Sequence, residues 1–404
     1  MTARFLGLLV LNFLIAVTSW ANSTDTLPAG INNTSFRIGS ILGLDQRFSS
    51  DGSLWRLGDY KSVQFTSENL SHFNSRAQQL IQALNNFGSQ SLGNNLNFGV
   101  LKVNTAPVVN YFAPVYARGI TDRWTIGFGV PIINYKNSIS LTQEGSNLAY
   151  YRNQLLGLSP ELDAALNVDL INVTQATLQE RGYRPIQNHD ETFIGDIQLA
   201  SLYRLFGNKW SEVQYSAIFN LPTGPKYNPD DLGAMNVFGR TSIENKFLWS
   251  KMLSRTFEIA PYVSHVFNIE DSVTARVPTN ANDLLPDQNS KEDVRRKIGD
   301  SVAAGAAVTL NLDDNFSFGG EYTFTNKLQD SYSGTQGRRY DLLGQDTNSK
   351  SQQVGIHVSY STVKTYLKKQ SYMPGIISYN YKDVIAGNNI ERRTINEMTF
   401  MMFF

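Results

Sequence analysis

The feature that most constrains this chain is a two-residue alternation between large apolar and small or polar side chains, repeated along most of its length. At 124–129, every even position is Trp, Ile or Phe and every odd position is Thr or Gly. Because successive side chains of a strand point to opposite faces, the pattern predicts strands with one apolar face and one polar or small-residue face. Such strands are predicted at 124–132, 197–205, 213–221, 302–310, 316–324 and 354–360, and less regular ones at 108–119, 237–250, 256–267, 373–384 and 392–404.

The connections between these strands alternate in length. Antiparallel transmembrane barrels have short periplasmic turns and long outer loops. The periplasmic side is therefore assigned to the short connections and the outside to the long ones. The short connections lie at 120–122, 207–210, 251–255, 312–315 and 361–371, and the outer ones at 136–191, 222–236, 268–297, 326–350 and 386–391.

The strand count completes the fold prediction. The pattern gives eleven strands from Val108 onward, and a barrel with both termini in the periplasm needs an even number. One further strand must precede Val108, and 35–44, 60–66 and 97–103 are the candidates. The sequence thus predicts an all-β fold, an antiparallel transmembrane β-barrel of about twelve strands, with fourteen as the alternative.

A barrel also satisfies the physics of a bilayer. In hydrocarbon every backbone N–H and C=O must be paired within the protein, so only helices and closed sheets can span it. A secreted β-sandwich is the competing fold, but its outward faces should be polar. Aromatic girdles are expected at the strand ends, from Trp124, Tyr135, Tyr203, Trp210, Phe247, Trp249 and Phe404.

The N-terminus has the pattern of a secretory signal. Arg4 is followed by an apolar run over 5–17 and by Ser19-Trp20-Ala21, so cleavage is expected after Ala21. The chain has no cysteine and equal numbers of basic and acidic residues, 35 each, which argues against a disulfide scaffold and a nucleic-acid partner. The predicted organisation is a signal peptide at 1–21, an N-terminal segment at 22–106 with the first strand or strands, and the barrel at 107–404.

Two segments have helical patterns. Apolar residues between Phe73 and Leu84 recur at a 3.6-residue spacing, and this helix is expected in the lumen or beneath the barrel as a plug. Ser159-Pro160-Glu161 is a favourable start for a second helix through about Leu170, with 174–181 as its continuation. The second helix is expected in an extracellular loop over the barrel mouth.

Catalytic and metal chemistry find little support in the sequence. The four histidines have no ligand spacing, and Ser264 and His265 are adjacent, which places their side chains on opposite faces of a strand. Asp230 and Asp231 lack the spaced oxygen ligands of a calcium loop and are expected to be solvated turn residues. No cofactor and no enzymatic activity are predicted.

The inward face of the predicted barrel carries charges of both signs. Arg204, Glu212, Glu244, Lys246 and Glu258 are expected at a similar depth near the periplasmic end, either as a salt-bridge ladder or as a constriction on a solute path. The predicted polar lining of the lumen consists of Asp196, Gln198, Arg204, Glu212, Gln214, Arg240, Glu244, Lys246, Glu258, Glu321 and His357.

The chain ends on an apolar strand whose large side chains share one parity. This end resembles the C-terminal signal that the barrel-assembly machinery reads in outer-membrane barrels. The residues that would carry the signal are Met398, Phe400, Met402 and Phe404.

Three stretches resemble a known family: ARGITDRWTIGFGVP at 117–131, GDIQL at 195–199 with Tyr203-Arg204, and LPTGP at 221–225. They are similar to the outer-membrane barrel family named for the meta-pathway of phenol degradation, a relative of the fatty acid channels. The resemblance implies a twelve-stranded barrel and passage of small hydrophobic compounds. Fatty acid channels carry Asn-Pro-Ala near a luminal hatch, and this chain has Leu27-Pro28-Ala29-Gly30, without the Asn.

The sequence therefore predicts a bacterial outer-membrane barrel that acts as a passive channel for small hydrophobic or aromatic solutes. The alternative is a closed barrel that acts as a structural or surface-interaction protein, and a membrane-embedded hydrolase is a third, disfavoured hypothesis. Expected partners are outer-membrane lipid and lipopolysaccharide, the barrel-assembly machinery and a small hydrophobic solute.

Overall fold

Twelve antiparallel strands close into a barrel in the computed structural model. The structure describes residues 26–404, except for 61–62, 69–74, 87–91, 156, 158–159, 161–162, 164–165, 167–168, 236–237, 282 and 284. The barrel strands are β1 (Asn32–Leu42), β2 (Asn97–Thr121), β3 (Trp124–Gly129 and Ile132–Glu144), β4 (His189–Ile194 and Gln198–Asn208), β5 (Ser211–Asn220), β6 (Ser242–Met252), β7 (Phe257–Asn268), β8 (Ser301–Asn311), β9 (Phe316–Lys327), β10 (Ser349–Ser361), β11 (Gly375–Asn388) and β12 (Thr394–Phe403).

The first strand closes the barrel, because it pairs with the second strand on one side and with the last on the other. On β1, Arg37 lies opposite Ala113 of β2 and opposite Thr399 of β12. The prediction of a twelve-stranded barrel is confirmed, and the candidate at 35–44 supplies the missing strand. The other two candidates add no barrel strand: 97–103 belongs to the start of β2, and Val63–Thr66 is a short strand paired with that start.

The outer surface of the barrel is apolar. Many large apolar side chains of the strands are at least 40% exposed, whereas residues of the opposite parity point inward and are buried or partly buried. An exposed apolar band of this extent is stable only in contact with lipid. The band includes Ile38, Trp124, Ile126, Phe128, Leu199, Tyr203, Phe247, Val263, Val302, Phe318, Tyr322, Ile356, Tyr379 and Met398.

Aromatic side chains with polar groups lie near the short turns, as a girdle requires. The indole Nε1 of Trp124 donates to Ser201 Oγ at 2.9 Å, and that of Trp249 donates to Ser211 Oγ at 2.8 Å. The girdle prediction is wrong for Tyr135, which is 1% exposed and faces the lumen. The strand does not end at Tyr135 but continues to Glu144, so the residue is not at a strand end.

Both ends of the described chain lie at the periplasmic end of the barrel. The backbone N–H of Asn32 donates to the carbonyl of Phe404 at 2.8 Å. The segment 26–30 runs beside the first short turn, where Thr26 Oγ1 donates to Asp122 O at 2.9 Å. Gly119 makes this contact possible, because a Cβ there would lie 2.1 Å from the carbonyl oxygen of Pro28. The predicted signal peptide lies outside the described residues, and the boundary proposed at residue 107 falls within β2.

An outer lobe stands on the extensions of β2 and β3 beyond the barrel. Its apolar core includes Phe65, Leu84, Leu101, Tyr151 and Leu170, all at most 3% exposed. The helix predicted near Phe73 to Leu84 is present at Ser75–Asn86, with Phe73 outside the described residues. Its predicted position as a plug is wrong, because it packs in this outer lobe. The described helices are Leu57–Tyr60, Ser75–Asn86, Leu148–Leu155, Leu170–Glu180 and Val363–Leu367.

The second predicted helix, 159–170, falls largely outside the described residues. Its expected continuation is confirmed as Leu170–Glu180, where the carboxylate of Asp169 accepts the backbone N–H of Ile171 at 2.9 Å and caps the helix. Within the described part of the chain, no helix is long and apolar enough to cross a membrane.

Two small sheets order the remaining outer loops. One joins Gln46–Phe48, Leu54–Arg56 and Ile390–Glu391. The other, called the outer sheet below, joins Asp271–Arg276, Lys291–Lys297 and Ser331–Ser333. Neither sheet was predicted from the sequence, because their strands are short and most of them lie in the long connections between barrel strands.

Candidate functional site

Six charged side chains of alternating sign project into the lumen at middle height. Lys382 Nζ lies 2.5 Å from Glu321 Oε1, and Lys246 Nζ lies 3.8 Å from the centre of the Tyr262 ring. Three residues are cationic and three anionic, so the ring of charge is neutral as a whole. We call this set the charged belt: Arg37 of β1, Glu244 and Lys246 of β6, Glu321 of β9, Lys382 of β11 and Glu397 of β12.

The charges predicted as one ladder lie at two levels. Arg204 Nη1 is 3.6 Å from Glu212 Oε2 close to the short turn between β4 and β5, and Glu258 accepts a hydrogen bond from Ser250 near the turn between β6 and β7. Glu244 and Lys246 lie further from the turn, in the charged belt. Gln214, 2% exposed, is the next inward residue above Glu212.

Two other predicted lining residues lie below and above the charged belt. His357 Nε2 is 3.5 Å from Thr309 Oγ1 on the inner face of β8, below the level of Glu321. Gln198 is at the outer end of the barrel, where its Nε2 donates to Asn220 Oδ1 at 2.9 Å.

Asp196 has a structural role at the outer rim that the sequence did not indicate. Its carboxylate accepts the backbone N–H groups of Gly224 and Gly239, each at 2.9 Å, and that of Arg240 at 3.4 Å. Arg240 precedes β6 and belongs to the same loop. The GDIQL and LPTGP stretches are therefore in direct contact, and Asp196 fixes the loop 222–241 over the barrel mouth.

A packed cluster of apolar side chains lies between this loop and the charged belt. Tyr135 Oη donates to Gly233 O at 3.0 Å, and the rings of Phe193 and Phe238 are 5.4 Å apart in an edge-to-face arrangement. The loop thus adds its own apolar side chains to those of the barrel wall. We call this cluster the upper chamber: Ile41, Leu44, Val109, Tyr111, Ile133, Tyr135, Met235 and Phe238, each at most 6% exposed.

Tyr111 connects the upper chamber to the charged belt. Its ring packs in the chamber, and its hydroxyl donates to Glu397 Oε2 at 2.8 Å. A glycine is required beside the ring, since a Cβ at Gly39 would lie 2.3 Å from it. Side chains fill an eight-stranded barrel, while barrels of sixteen or more strands leave an aqueous channel. The buried belt and chamber place this lumen nearer the first case.

The serine and histidine of the disfavoured hydrolase hypothesis lie on opposite faces of β7. Ser264 faces inward at 8% exposure, while His265 is exposed on the outer face, as expected. No group of three or more His, Asp or Glu side chains among the described residues is placed to hold a metal ion.

Asp230 and Asp231 are paired with basic side chains, Asp230 partly buried and Asp231 buried, so the prediction of solvated turn residues is wrong. Arg276 donates to Asp230 Oδ1 through Nε at 3.0 Å and Nη2 at 2.8 Å, and Lys291 Nζ is 2.5 Å from Asp230 Oδ2. Asp231 is 5% exposed and lies 3.3 Å from His189 Nε2. Asp230 thereby ties the loop 222–241 to the outer sheet.

Acidification is expected to release this tie. Burial alone would raise the pKa of Asp230, but the hydrogen bonds from Lys291 and Arg276 outweigh it and hold the pKa below its ordinary value of 3.8. The network therefore stabilises the outer loops above that pH, and the stabilisation is lost as the pH falls through the lowered pKa. Hydrogen exchange at 271–297, corrected for the intrinsic effect of pH, should accelerate below about pH 3.8.

Barrel amides serve as the internal control for this measurement, because their protection depends on strand pairing. Asp230→Asn should produce the same acceleration at neutral pH. Unchanged exchange in both experiments would contradict the assigned role of Asp230.

The closed sheet, the lipid-facing apolar band and the inward charges define the class: a twelve-stranded outer-membrane β-barrel. It is similar to the solved COG4313 outer membrane channel from Pseudomonas putida F1, with a TM-score of 0.54 and 11% identity over 95% of this chain and 98% of that chain. This similarity establishes the fold.

Two further solved structures align over most of their lengths. The CymD monoaromatic hydrocarbon channel has a TM-score of 0.35 and 9% identity, over 97% of this chain and 94% of that chain. The Ralstonia pickettii toluene transporter TbuX has a TM-score of 0.34 and 10% identity, over 94% of this chain and 90% of that chain. No protein-family model and no curated protein sequence matches the chain.

Proposed function

We propose that this protein is a passive outer-membrane channel for small hydrophobic or aromatic solutes. The observation that carries the proposal is the upper chamber, an apolar cluster inside the lumen of a closed barrel, directly above the charged belt. Ion and sugar channels have no use for such a cluster, whereas an apolar solute gains about 25 cal/mol for each Å² of apolar surface removed from water. The fold shared with an outer membrane channel supports the same conclusion.

In the proposed mechanism, solutes move down their own concentration gradient. A solute leaves water by packing against the chamber side chains in place of Met235 and Phe238. It then passes the charged belt, whose neutral sum attracts neither anions nor cations strongly. No cofactor, energy source or covalent step is required, and the protein is not an enzyme in this proposal.

Planar-bilayer recordings test the proposal. The purified protein should give small single-channel currents, because the lumen is narrow, and micromolar to millimolar toluene on the outer side should interrupt them. Cells that lack the protein should take up dilute radiolabelled toluene more slowly than cells that express it. A bilayer silent at all voltages, together with unchanged uptake, would sink the proposal.

That negative result would favour the alternative of a closed barrel with a surface-interaction role. The observation behind this alternative is the outer lobe, which has its own apolar core and stands beyond the membrane on β2 and β3.

The finer partner predictions follow from the proposed location. Met398 is 42% exposed and Phe404 65% exposed, while Thr399 between them is fully buried on the inner face. We infer that the outward residues Met398, Phe400, Met402 and Phe404 present the assembly signal to the barrel-assembly machinery, and that lipopolysaccharide surrounds the outer rim.

A further inference from the structure

One buried cation of the charged belt has hydrogen-bond donors that no neighbouring group uses. Arg37 is 3% exposed, and neither its Nε nor its Nη2 has a hydrogen-bond partner among the described residues. The other cations of the belt are engaged, Lys382 by Glu321 and Lys246 by the Tyr262 ring. A buried guanidinium with unmade hydrogen bonds is costly to keep. Arg37 can therefore donate to an additional acceptor group.

An acceptor lies one inward position above these donors. Arg37 is opposite Thr399 on β12, and Gly39, the next inward residue of β1, is opposite Glu397. Glu397 accepts from the Tyr111 hydroxyl at 2.8 Å and from the Thr399 hydroxyl at 3.4 Å. An ionised carboxylate offers about four acceptor positions, so Glu397 retains the capacity to accept another hydrogen bond. Arg37 and Glu397 thus place a donor and an acceptor at successive inward positions of two neighbouring strands.

This polar pair lies at the floor of the upper chamber. On β1, Arg37 is one inward position below Gly39, which the ring of Tyr111 covers. The residue opposite Arg37 on β2 is Ala113, which has no polar side-chain atom to accept from the guanidinium. A solute packed against Val109 and Tyr135 would therefore have apolar contacts over its body and a polar contact at one end.

We propose that the floor of the upper chamber is a binding site for neutral solutes that carry one hydroxyl group on an apolar body, a class that deepens the proposed channel function and rests on it. The hydroxyl oxygen accepts from the Arg37 guanidinium, and the hydroxyl proton is donated to Glu397. The apolar body lies against the chamber side chains.

Charge and hydrogen-bond complementarity select this class over its relatives. Arg37 and Glu397 cancel each other, so a solute carboxylate would bring an uncompensated negative charge next to Glu397 in a poorly hydrated lumen. An ether can accept from Arg37 but has no proton for Glu397. A plain hydrocarbon uses neither group and leaves both as they were.

Fluorine NMR on three matched probes tests the proposal. Para-fluorobenzyl alcohol, its methyl ether and para-fluorotoluene share one ring and differ only in the polar end. Each is titrated against lipid nanodiscs that contain the barrel and against empty ones, and the saturable line broadening gives Kd. The alcohol should bind about tenfold more tightly than para-fluorotoluene, with the ether between them.

Three variants assign the preference to its residues. In Arg37→Met, the Kd of the alcohol should rise to that of para-fluorotoluene, whose own Kd should not change. In Glu397→Gln, the alcohol and the ether should have equal Kd values. Arg339→Met is the control, because Arg339 is an exposed loop residue paired with Asp341. The heat-dependent gel shift of folded barrels verifies that each variant is folded, and Glu397→Gln still tests the site if Arg37→Met does not fold.

The outcomes separate this inference from the channel itself. Equal Kd values for the three probes in the wild type, or an alcohol preference that survives Arg37→Met, would overturn the site while leaving the channel intact. Failure of every probe to bind would overturn the site, and only with a silent bilayer would it also overturn the channel.

Discussion

Glu321→Gln is expected to make the channel anion-selective and to destabilise the barrel. The Glu321 side chain is 6% exposed and that of Lys382 is 15% exposed, so the pair is largely desolvated. Removing one partner of a buried pair leaves the other charge uncompensated, which costs about 3–5 kcal/mol. It also leaves the charged belt with one excess positive charge. The reversal potential in a salt gradient measures the selectivity, and unfolding in urea measures the stability.

The double variant Glu321→Gln, Lys382→Met is the matched control. It restores a neutral belt, so its reversal potential should return to the wild-type value. Its stability should exceed that of the single variant, because no buried charge is left alone. Additive losses of stability in the double variant would show that the two residues do not act as a pair.

Phe238→Ala is expected to enlarge the conducting path and to weaken solute block. Phe238 is 6% exposed, and its ring packs against Phe193 across the upper chamber. Truncating a buried aromatic residue costs about 3–5 kcal/mol of packing. Here the loss falls on the docking of the loop 222–241 rather than on strand pairing, so the barrel should remain folded. Single-channel current should rise, and a higher toluene concentration should be needed to interrupt it.

Phe206→Ala provides the comparison for this result. Phe206 is 61% exposed on the outer side of β4, so its truncation removes a similar volume without touching the lumen. A current equal to that of the wild type is expected for this variant. The proposed role of the chamber is wrong if Phe238→Ala leaves both current and block unchanged, or if Phe206→Ala changes them equally.

The barrel was predictable from the sequence because a bilayer imposes the two-residue alternation on every strand that crosses it. The prediction was less successful where strands leave the membrane. At Tyr135 the polar residues that follow suggested the end of a strand, but β3 continues into water, where both of its faces tolerate polar side chains. The predicted strand at 108–119 began too late, because β2 starts at Asn97. That extension also lies outside the membrane, and the outer lobe covers one side of it.

The sequence predicted which polar side chains face the lumen but not which of them lie close together. Parity along a strand places Glu321 and Lys246 inward, yet their depth relative to residues of other strands depends on register, which alternation alone does not determine. Arg37 and Glu397 were missed, although each directly precedes an outward-facing apolar residue, Ile38 and Met398 respectively. The partners of Asp230 could not be seen locally, because Arg276 and Lys291 are 46 and 61 residues away in the chain.

The hydrogen bond between Asn32 and Phe404 joins the start of the first barrel strand to the end of the last one. Since β1 and β12 are mutual neighbours, a nascent chain released before its last ten residues would have two unpaired sheet edges and no way to cover them. The last strand must therefore be exported before the barrel can close. A premature stop codon upstream of β12 should yield a fragment that aggregates through its unpaired strand edges or is degraded, rather than a smaller functional channel.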